Sequence, residues 1–207
     1  MLKKIFSVLC MATVILFAAT SQVAAAKIVI ISDTPTGTFS EPEKAYKAIE
    51  NTLSKILGKN SGHEIIPAGE TESYVQIYRE EHDLIQSTGA EQGSYIEQYL
   101  KMKDLDNICQ YYGGDYIVYT RVTSTIPKIA IGVFSASQKV NVVLDFRVWS
   151  NSTKDFTYRR RFTTTGSSTA VYAGLGSSTR ALEKGLRKGL QEVEKEASKV
   201  RAAMVDY

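Results

Sequence analysis

Cysteine and histidine are scarce in this chain, which has two of each among 207 residues. His63 begins the segment HEIIP, which resembles the H-E-x-x-H zinc motif, but Pro67 occupies the place of the second histidine and the segment is typical of a strand. The stretch Arg79-Glu-Glu-His82-Asp83 offers carboxylates and an imidazole that could hold a metal on a helix, but the sequence offers no partner cluster, and we interpret this stretch as a solvated helical face. The sequence therefore predicts no metal site and no cofactor.

Recognised catalytic motifs and an excess of one charge are also missing. The chain has neither the G-x-S-x-G turn of serine hydrolases nor the G-x-x-x-x-G-K-[ST] phosphate loop. Without Lys3 and Lys4, the 25 basic residues fall to 23, against 22 acidic ones. Nucleic acid is therefore not a predicted partner, and we do not expect an enzyme.

The N-terminal segment has the pattern of a secretion signal. Its two lysines are followed by an apolar run over residues 5–19, and Ala24 and Ala26 form the A-x-A pattern of a cleavage site. We predict cleavage after Ala26 and a periplasmic or secreted protein formed by residues 27–207. An uncleaved anchor is the alternative, but the apolar run is shorter than the about 20 residues that a membrane span needs. No transmembrane span is expected after cleavage.

Cys109 is the only cysteine of the predicted mature chain, so no internal disulfide can form. Packing alone must then stabilise the fold. Cys109 lies in a helix-like stretch, and we interpret it as an inert buried thiol rather than a reactive one. Cys10 lacks the small preceding residue that lipidation needs, so no lipid anchor is expected.

The spacing of apolar residues predicts helices packed on one sheet. Strands are predicted at residues 27–32, 64–68 and 115–122 and in a hairpin around the turn 151–155. Helices are predicted from an N-cap at Ser40 to Gly58, around 74–78, around 95–100, at 105–112 and at 179–204, with a Gly/Ser-rich loop over 165–178. This order indicates an α+β fold with a single mixed sheet and a long C-terminal helix, in one domain over residues 27–207.

Leu186 and Leu190 lie on the apolar stripe of the predicted C-terminal helix. Ala181, Gly185 and Gly189 recur every four residues beside that stripe. Because these residues are small, we expect the helix backbone to approach the sheet closely.

Several segments resemble the envelope domains of the CsgG type. They are GGDYIV at 113–118, KVNVVLDFRVW at 139–149, GSST at 166–169 and RALEKGL at 180–186. The amino-terminal domain of TolB and the penicillin-binding-protein activator LpoB resemble the CsgG-type domains in architecture. This resemblance implies a soluble scaffold without an active site, which acts as an envelope adaptor or assembly component. This inference derives a role from a fold, and it assigns no function to any single residue.

Arginines on neighbouring predicted strands are the main candidates for binding. They are Arg121, Arg147, Arg159 and Arg161, and their alternate positions predict that they project from one face. Guanidinium groups can bind carboxylates, phosphates or an acidic protein surface. The alternative is that they form the solvated polar face of a half-covered sheet.

The entry to the last helix is a second candidate. Gly174, Gly176 and Ser177 precede the helix, where backbone amides could hold an anion, although an ordinary flexible entry is the alternative. Tyrosines are the third candidate, because they are enriched in interfaces but also pack in cores. The tyrosines in question are Tyr95, Tyr99, Tyr111 and Tyr112.

Together these patterns favour a non-enzymatic periplasmic or secreted protein that binds another cell-envelope component, most simply a protein. Self-association is left open. The alternative is a binder of a small anionic ligand or an envelope polymer, through the Gly/Ser loop and the arginines. An enzyme without a recognisable motif is the third hypothesis.

Overall fold

The computed structural model describes residues 25–35, 37–58, 61–87, 95–132, 135–171 and 177–204. Residues 1–24 of the predicted signal peptide lie outside this range, so its cleavage stays a prediction. The assignment of residues 27–207 to one domain also stays a prediction.

Eight strands and five helices occur in the described part of the chain. The strands are β1 (Lys27–Ser32), β2 (Glu64–Ile66), β3 (Ile85–Ser87), β4 (Tyr95–Glu97), β5 (Tyr116–Ser124), β6 (Lys128–Ile131), β7 (Ser135–Ser150) and β8 (Asp155–Val171). The helices are α1 (Pro42–Leu57), α2 (Ala68–Glu81), α3 (Met102–Tyr112), α4 (Ser178–Lys195) and α5 (Ala197–Ala202).

Six of the strands form one mixed sheet, as predicted. β1 pairs in parallel with β2 on one side and with β5 on the other, and β5 pairs antiparallel with β7. β6 pairs with the N-terminal part of β7, and β8 pairs along the whole opposite side of β7. β3 and β4 form a separate antiparallel pair. The fold is α+β, with the helices packed on the sheet.

The sheet has a hydrophobic core on each face. On the first face, side chains such as Ile30 and Leu144 pack against α1, α4 and α5. On the second face, side chains such as Ile31 and Ile117 pack against α2 and α3. β1 reads as a continuous apolar run because both of its faces are covered.

Helix α4 lies very close to the sheet, as its small residues predict. A Cβ atom on Gly185 would lie 2.3 Å from Cγ2 of Val142, and one on Gly166 would lie 1.7 Å from the carbonyl oxygen of Ala181. The prediction of one unbroken C-terminal helix is wrong, because α4 ends at Lys195 and α5 begins at Ala197. At this break Glu196 accepts a hydrogen bond from the Tyr158 hydroxyl (3.0 Å), which holds the chain on β8.

Several local predictions are corrected by the structure. Tyr95–Glu97 forms strand β4 and not a helical turn, because it pairs with β3. The predicted loop at 165–171 continues β8, because it pairs with Ser135–Asn141 of β7. Helix α1 has Glu41 and not Ser40 as its N-cap, and Pro42 occupies the first helical position.

The β7–β8 ladder contains one β-bulge. Val148 pairs with Tyr158 but Trp149 pairs with Phe156, so Thr157 is one extra residue in β8. Its hydroxyl donates a hydrogen bond to the carbonyl oxygen of Ala203 (2.8 Å). The bulge thus lies where β8 is tied to the end of α5.

Candidate partner-binding face

The strand register places the predicted arginines on the second face of the sheet. They are Arg121, Arg147, Arg159 and Arg161. Arg147 and Arg159 face each other across β7 and β8, and Asp145 lies between Arg121 and Arg161 one row away. Because directly opposed residues share a face, as do residues two apart in a strand, all four arginines lie on one face. Their part in binding stays a prediction.

Asp145 is a counter-charge that the sequence analysis did not consider. Its Oδ2 accepts hydrogen bonds from Nη2 of Arg147 (3.2 Å) and Nη2 of Arg161 (2.8 Å). The hydrogen bond to Asp145 raises the pKa of the Arg161 guanidinium. Repulsion between the arginines is therefore offset within the sheet, although the Arg161 side chain stays 62% exposed. The signal for this pairing was the Asp-x-Arg spacing on β7.

Arg159 lies at the outer side of the group. Its Nη2 atom donates to Oδ1 of Asp155 (2.6 Å), and both side chains are more than half exposed. The guanidinium also lies 4.6 Å from the centre of the Phe156 ring, a geometry that favours a cation–π contact. An exposed ion pair of this kind stabilises a fold by only about 0–1 kcal/mol, so Arg159 can exchange Asp155 for another carboxylate at little cost.

The helices leave part of the second face open. α2 packs on β1 and α3 on β5, whereas α4 packs on β7 and β8 from the first face. Arg159, Arg161 and Thr163 are exposed, and Arg147 is half-buried. These four residues define what we call the basic face.

Arg121 is not exposed on the basic face. It is buried, and its Nη1 atom donates to Oδ2 of Asp33 (3.0 Å). Its guanidinium lies 3.7 Å from the centre of the Tyr99 ring, which is about half exposed. Arg121 therefore lies beneath a tyrosine and is bound to an internal carboxylate.

Asp33 gathers a buried polar cluster that includes Arg121. Its carboxylate also accepts hydrogen bonds from the Tyr119 hydroxyl and pairs with Arg79, whose Nη1 atom donates to the carbonyl oxygen of Gln98 (3.0 Å). Burial raises the pKa of Tyr119 to about 12, although nearby arginines lower it. The interpretation of Arg79 as part of a solvated face is wrong, because this side chain is buried. The signal for the cluster was Asp33, a carboxylate directly after a strand whose four central residues are buried.

The predicted anion site at the last helix is only partly described. Gly174 and Gly176 lie outside the described residues. Ser177 is the N-cap of α4: its side-chain oxygen accepts from the backbone N–H of Arg180 (3.2 Å). Its own backbone N–H donates to Oγ of Ser168 (3.2 Å). Ser177 therefore caps α4 and also links it to β8.

The tyrosine candidates are divided between two places. Tyr111 is exposed and stacks on Tyr74 with 3.8 Å between ring centres, while Tyr112 meets Tyr74 edge-on. Tyr99 covers Arg121 instead. The side chain of Tyr95 lies outside the part of the chain that the structure describes. The three described tyrosines thus do not form one surface.

The residues with potential for chemistry have structural partners. Cys109 is buried, its thiol donates to the carbonyl oxygen of Gly114 (3.0 Å), and burial raises its pKa to about 12. Nδ1 of His63 accepts from the backbone N–H of Ala26 (3.1 Å), and His82 stacks on Tyr78. Within the described ranges, no three His, Cys, Asp or Glu side chains are grouped to hold a metal ion.

No protein-family model matches the chain, and no curated protein matches its sequence. Solved structures of bacterial envelope proteins do show a distant likeness in architecture. A lipoprotein from Neisseria meningitidis is 11% identical, with a TM-score of 0.33, over 86% of this chain and 99% of its own. TolB from Acinetobacter baumannii is 9% identical, with a TM-score of 0.36, over 87% of this chain and 28% of its own. The C-terminal domain of LpoB from Escherichia coli is 10% identical, with a TM-score of 0.30, over 68% of this chain and 83% of its own.

TolB and LpoB, which the sequence resemblance named, are thus among these distant matches. The CsgG-type resemblance stays a prediction. Likenesses this distant carry no information about what the chain binds. In the part of the chain that the structure describes, no helix combines the length and apolar character of a membrane span.

Proposed function

We propose that this chain is a non-enzymatic periplasmic or secreted adaptor that binds an acidic surface of another envelope protein through the basic face. The observation that supports the proposal is the open half of the second face. There, Arg159 and Arg161 are exposed and lie beside the half-buried Arg147. Beside their present partners, Asp155 and Asp145, these guanidinium groups can donate hydrogen bonds to further carboxylates.

The electrostatics of the face favour a protein partner with spaced carboxylates. Asp145 accepts hydrogen bonds from both Arg147 and Arg161, so these two guanidinium groups are oriented before a carboxylate arrives. The adjoining Phe156 ring gives the face an apolar part, which a single small anion would not use.

The test compares two changes in the same strand. Arg159→Ser with Arg161→Ser removes two charges from the basic face, whereas Arg160→Ser removes a charge from the opposite face, where Arg160 pairs with Glu196. Partners are captured in cells by crosslinking, identified by mass spectrometry and then measured for binding to purified protein. We expect the double variant to bind the captured partner several-fold more weakly, with a larger loss at low salt, because salt screens exposed charges.

The Arg160→Ser variant should bind like the parent chain. Equal binding of the double variant at low ionic strength would show that the basic face is only solvated. Capture of a glycan or a small anion in place of a protein would favour the alternative function.

A further inference from the structure

The second half of β8 is a sheet edge that no described strand covers. β8 pairs with β7 and with no other strand among the described residues. From Thr163 to Val171 the strand has no charged side chain. Proteins usually protect a long edge of this kind with charges, prolines or covering segments, since its backbone groups can pair with another chain.

The direction of the backbone groups along this edge follows from the opposite strand. Asn141 of β7 faces Thr165, and the backbone of Asn141 is bonded on its other side: its oxygen accepts from the N–H of Thr125 (3.0 Å) and its N–H donates to Oγ1 of Thr125 (3.2 Å). Asn141 and Thr165 therefore form a non-hydrogen-bonded pair, so the backbone N–H and C=O of Thr165 point away from β7. By alternation, those of Thr163 and Ser167 do too. We call these groups the outer edge of β8.

Positive charges lie on both sides of the outer edge. On the first face, Lys188 of α4 donates to the carbonyl oxygen of Thr165 (2.9 Å), and Lys184 precedes it by one helical turn. On the second face, Arg161 and Arg159 project from β8 itself. A strand added at this edge would have cationic groups above and below its alternating side chains.

We propose that an extended segment of an acidic partner protein adds to the sheet as a strand along the outer edge of β8. Its backbone pairs with Thr163, Thr165 and Ser167, with Lys188 releasing the carbonyl oxygen of Thr165, and its alternating carboxylates face the two lysines and the two arginines. This proposal rests on the proposed function and specifies how the partner is bound. A second copy of this chain fits less well, because a two-fold axis at Thr165 would bring two Lys188 ammonium groups together.

The test uses the full mature chain and a synthetic probe, the acetylated and amidated heptapeptide Thr-Glu-Glu-Val-Glu-Glu-Thr. A second peptide carries N-methyl groups on alternate backbone amides, which removes hydrogen bonds and keeps the charges. A third has Gln in place of every Glu. We expect the first peptide to bind saturably and each of the other two to bind about tenfold more weakly, because each lacks one of the two kinds of contact.

Two variants at one position test the outer edge itself. Thr163→Pro removes an N–H that points away from β7, so it leaves the β7–β8 ladder intact, whereas Thr163→Val keeps that N–H. We expect Thr163→Pro to weaken binding of the first peptide by about tenfold and Thr163→Val to change it by less than about twofold. Hydrogen exchange provides a second readout, because the amides of Thr163, Thr165 and Ser167 should exchange fast in the free chain and slowly in the complex.

The outcomes separate this proposal from the proposed function. Equal binding of the N-methylated peptide, or an unaffected Thr163→Pro variant, would overturn strand addition. If the double variant Arg159→Ser with Arg161→Ser still bound the peptide more weakly than the parent chain, the basic face would remain supported as the binding surface. Equal binding of the Gln peptide would contradict both proposals. Absence of saturable binding by the first peptide, or dimerisation of the chain that Thr163→Pro abolishes, would overturn the acidic segment as occupant.

Discussion

Gly166 of β8 and Gly185 of α4 lie in direct backbone contact: a Cβ atom on Gly166 would lie 2.6 Å from the backbone nitrogen of Gly185. We expect Gly166→Ala to destabilise the fold by about 1–3 kcal/mol or more, because the obstructing atoms are backbone and cannot rotate away. Urea unfolding measures the change. Gly69→Ala is the control, since a Cβ there meets nothing within 4 Å. Equal stability of the two variants would mean that α4 is farther from the sheet.

Leu190 tests whether α4 is part of the core. It is buried on the first face, so Leu190→Ala should lower the free energy of unfolding by about 2–5 kcal/mol. The matched control is Ile77→Ala on α2, whose side chain is 51% exposed and whose loss should change stability by less than about 0.5 kcal/mol. Light scattering should show no change in oligomeric state. If the variant lost oligomerisation and kept its stability, α4 would instead project from the domain as a coiled-coil arm.

The buried cluster around Asp33 should be sensitive to loss of the Asp33 charge. Asp33→Asn removes the charge of a carboxylate that pairs with both of the buried residues Arg79 and Arg121, so we expect a loss of about 3–5 kcal/mol in unfolding free energy. Asp155→Asn breaks an exposed ion pair with Arg159 and should cost only about 0–1 kcal/mol. If the two changes had similar effects in urea unfolding, Asp33 would not be buried in solution.

Cys109 should make stability depend on alkaline pH. Burial raises its pKa from 9.0 to about 12, so the folded state disfavours the thiolate. The contribution of the neutral thiol is complete below pH 9.0 and is lost as the pH rises towards about 12. The stability advantage of the parent over Cys109→Ala should therefore shrink above pH 9.0. Tyr119 and Tyr158 also have raised pKa values, but both proteins contain them, so their effect cancels.

Thiol labelling gives an independent check on the same residue. A thiol reagent should modify native Cys109 far more slowly than the urea-unfolded chain, because reaction requires an exposed thiolate. Rapid labelling of the native protein would show that the face of α3 that carries Cys109 is exposed.

The sheet was predictable where local pattern and burial agree. The centre of β1 and the first four residues of β5 are apolar runs, and the stripe of α4 repeats every three or four residues, so each element follows from its own sequence. The second half of β8 did not follow, because threonine, serine and glycine fit a loop equally well. Only its pairing with the distant β7 makes it a strand.

The face on which the candidate arginines lie was predictable from the sequence, but the residues with which they pair were not. Alternation along β7 and β8 placed Arg147, Arg159 and Arg161 together. The burial of Arg121 could not be read from its strand, because it depends on Asp33, which lies 88 residues away in the sequence. Long-range ion pairs of this kind leave no periodic signal in one sequence.

The bulge at Thr157 determines how the hairpin tolerates changes in length. In a regular strand, residues three apart point to opposite faces, but the extra residue lets Phe156 and Arg159 share one. Deletion of Thr157 would restore a regular ladder, preserve the direction of every other side chain in β8, and remove the contacts of the Thr157 hydroxyl with the carbonyl oxygens of Ala203 and Val148. Deletion of Phe162, with the turn fixed, would instead move each following residue to the opposite face. Thr157 is thus a position at which β8 can lose a residue while every other side chain stays on its own face of the sheet.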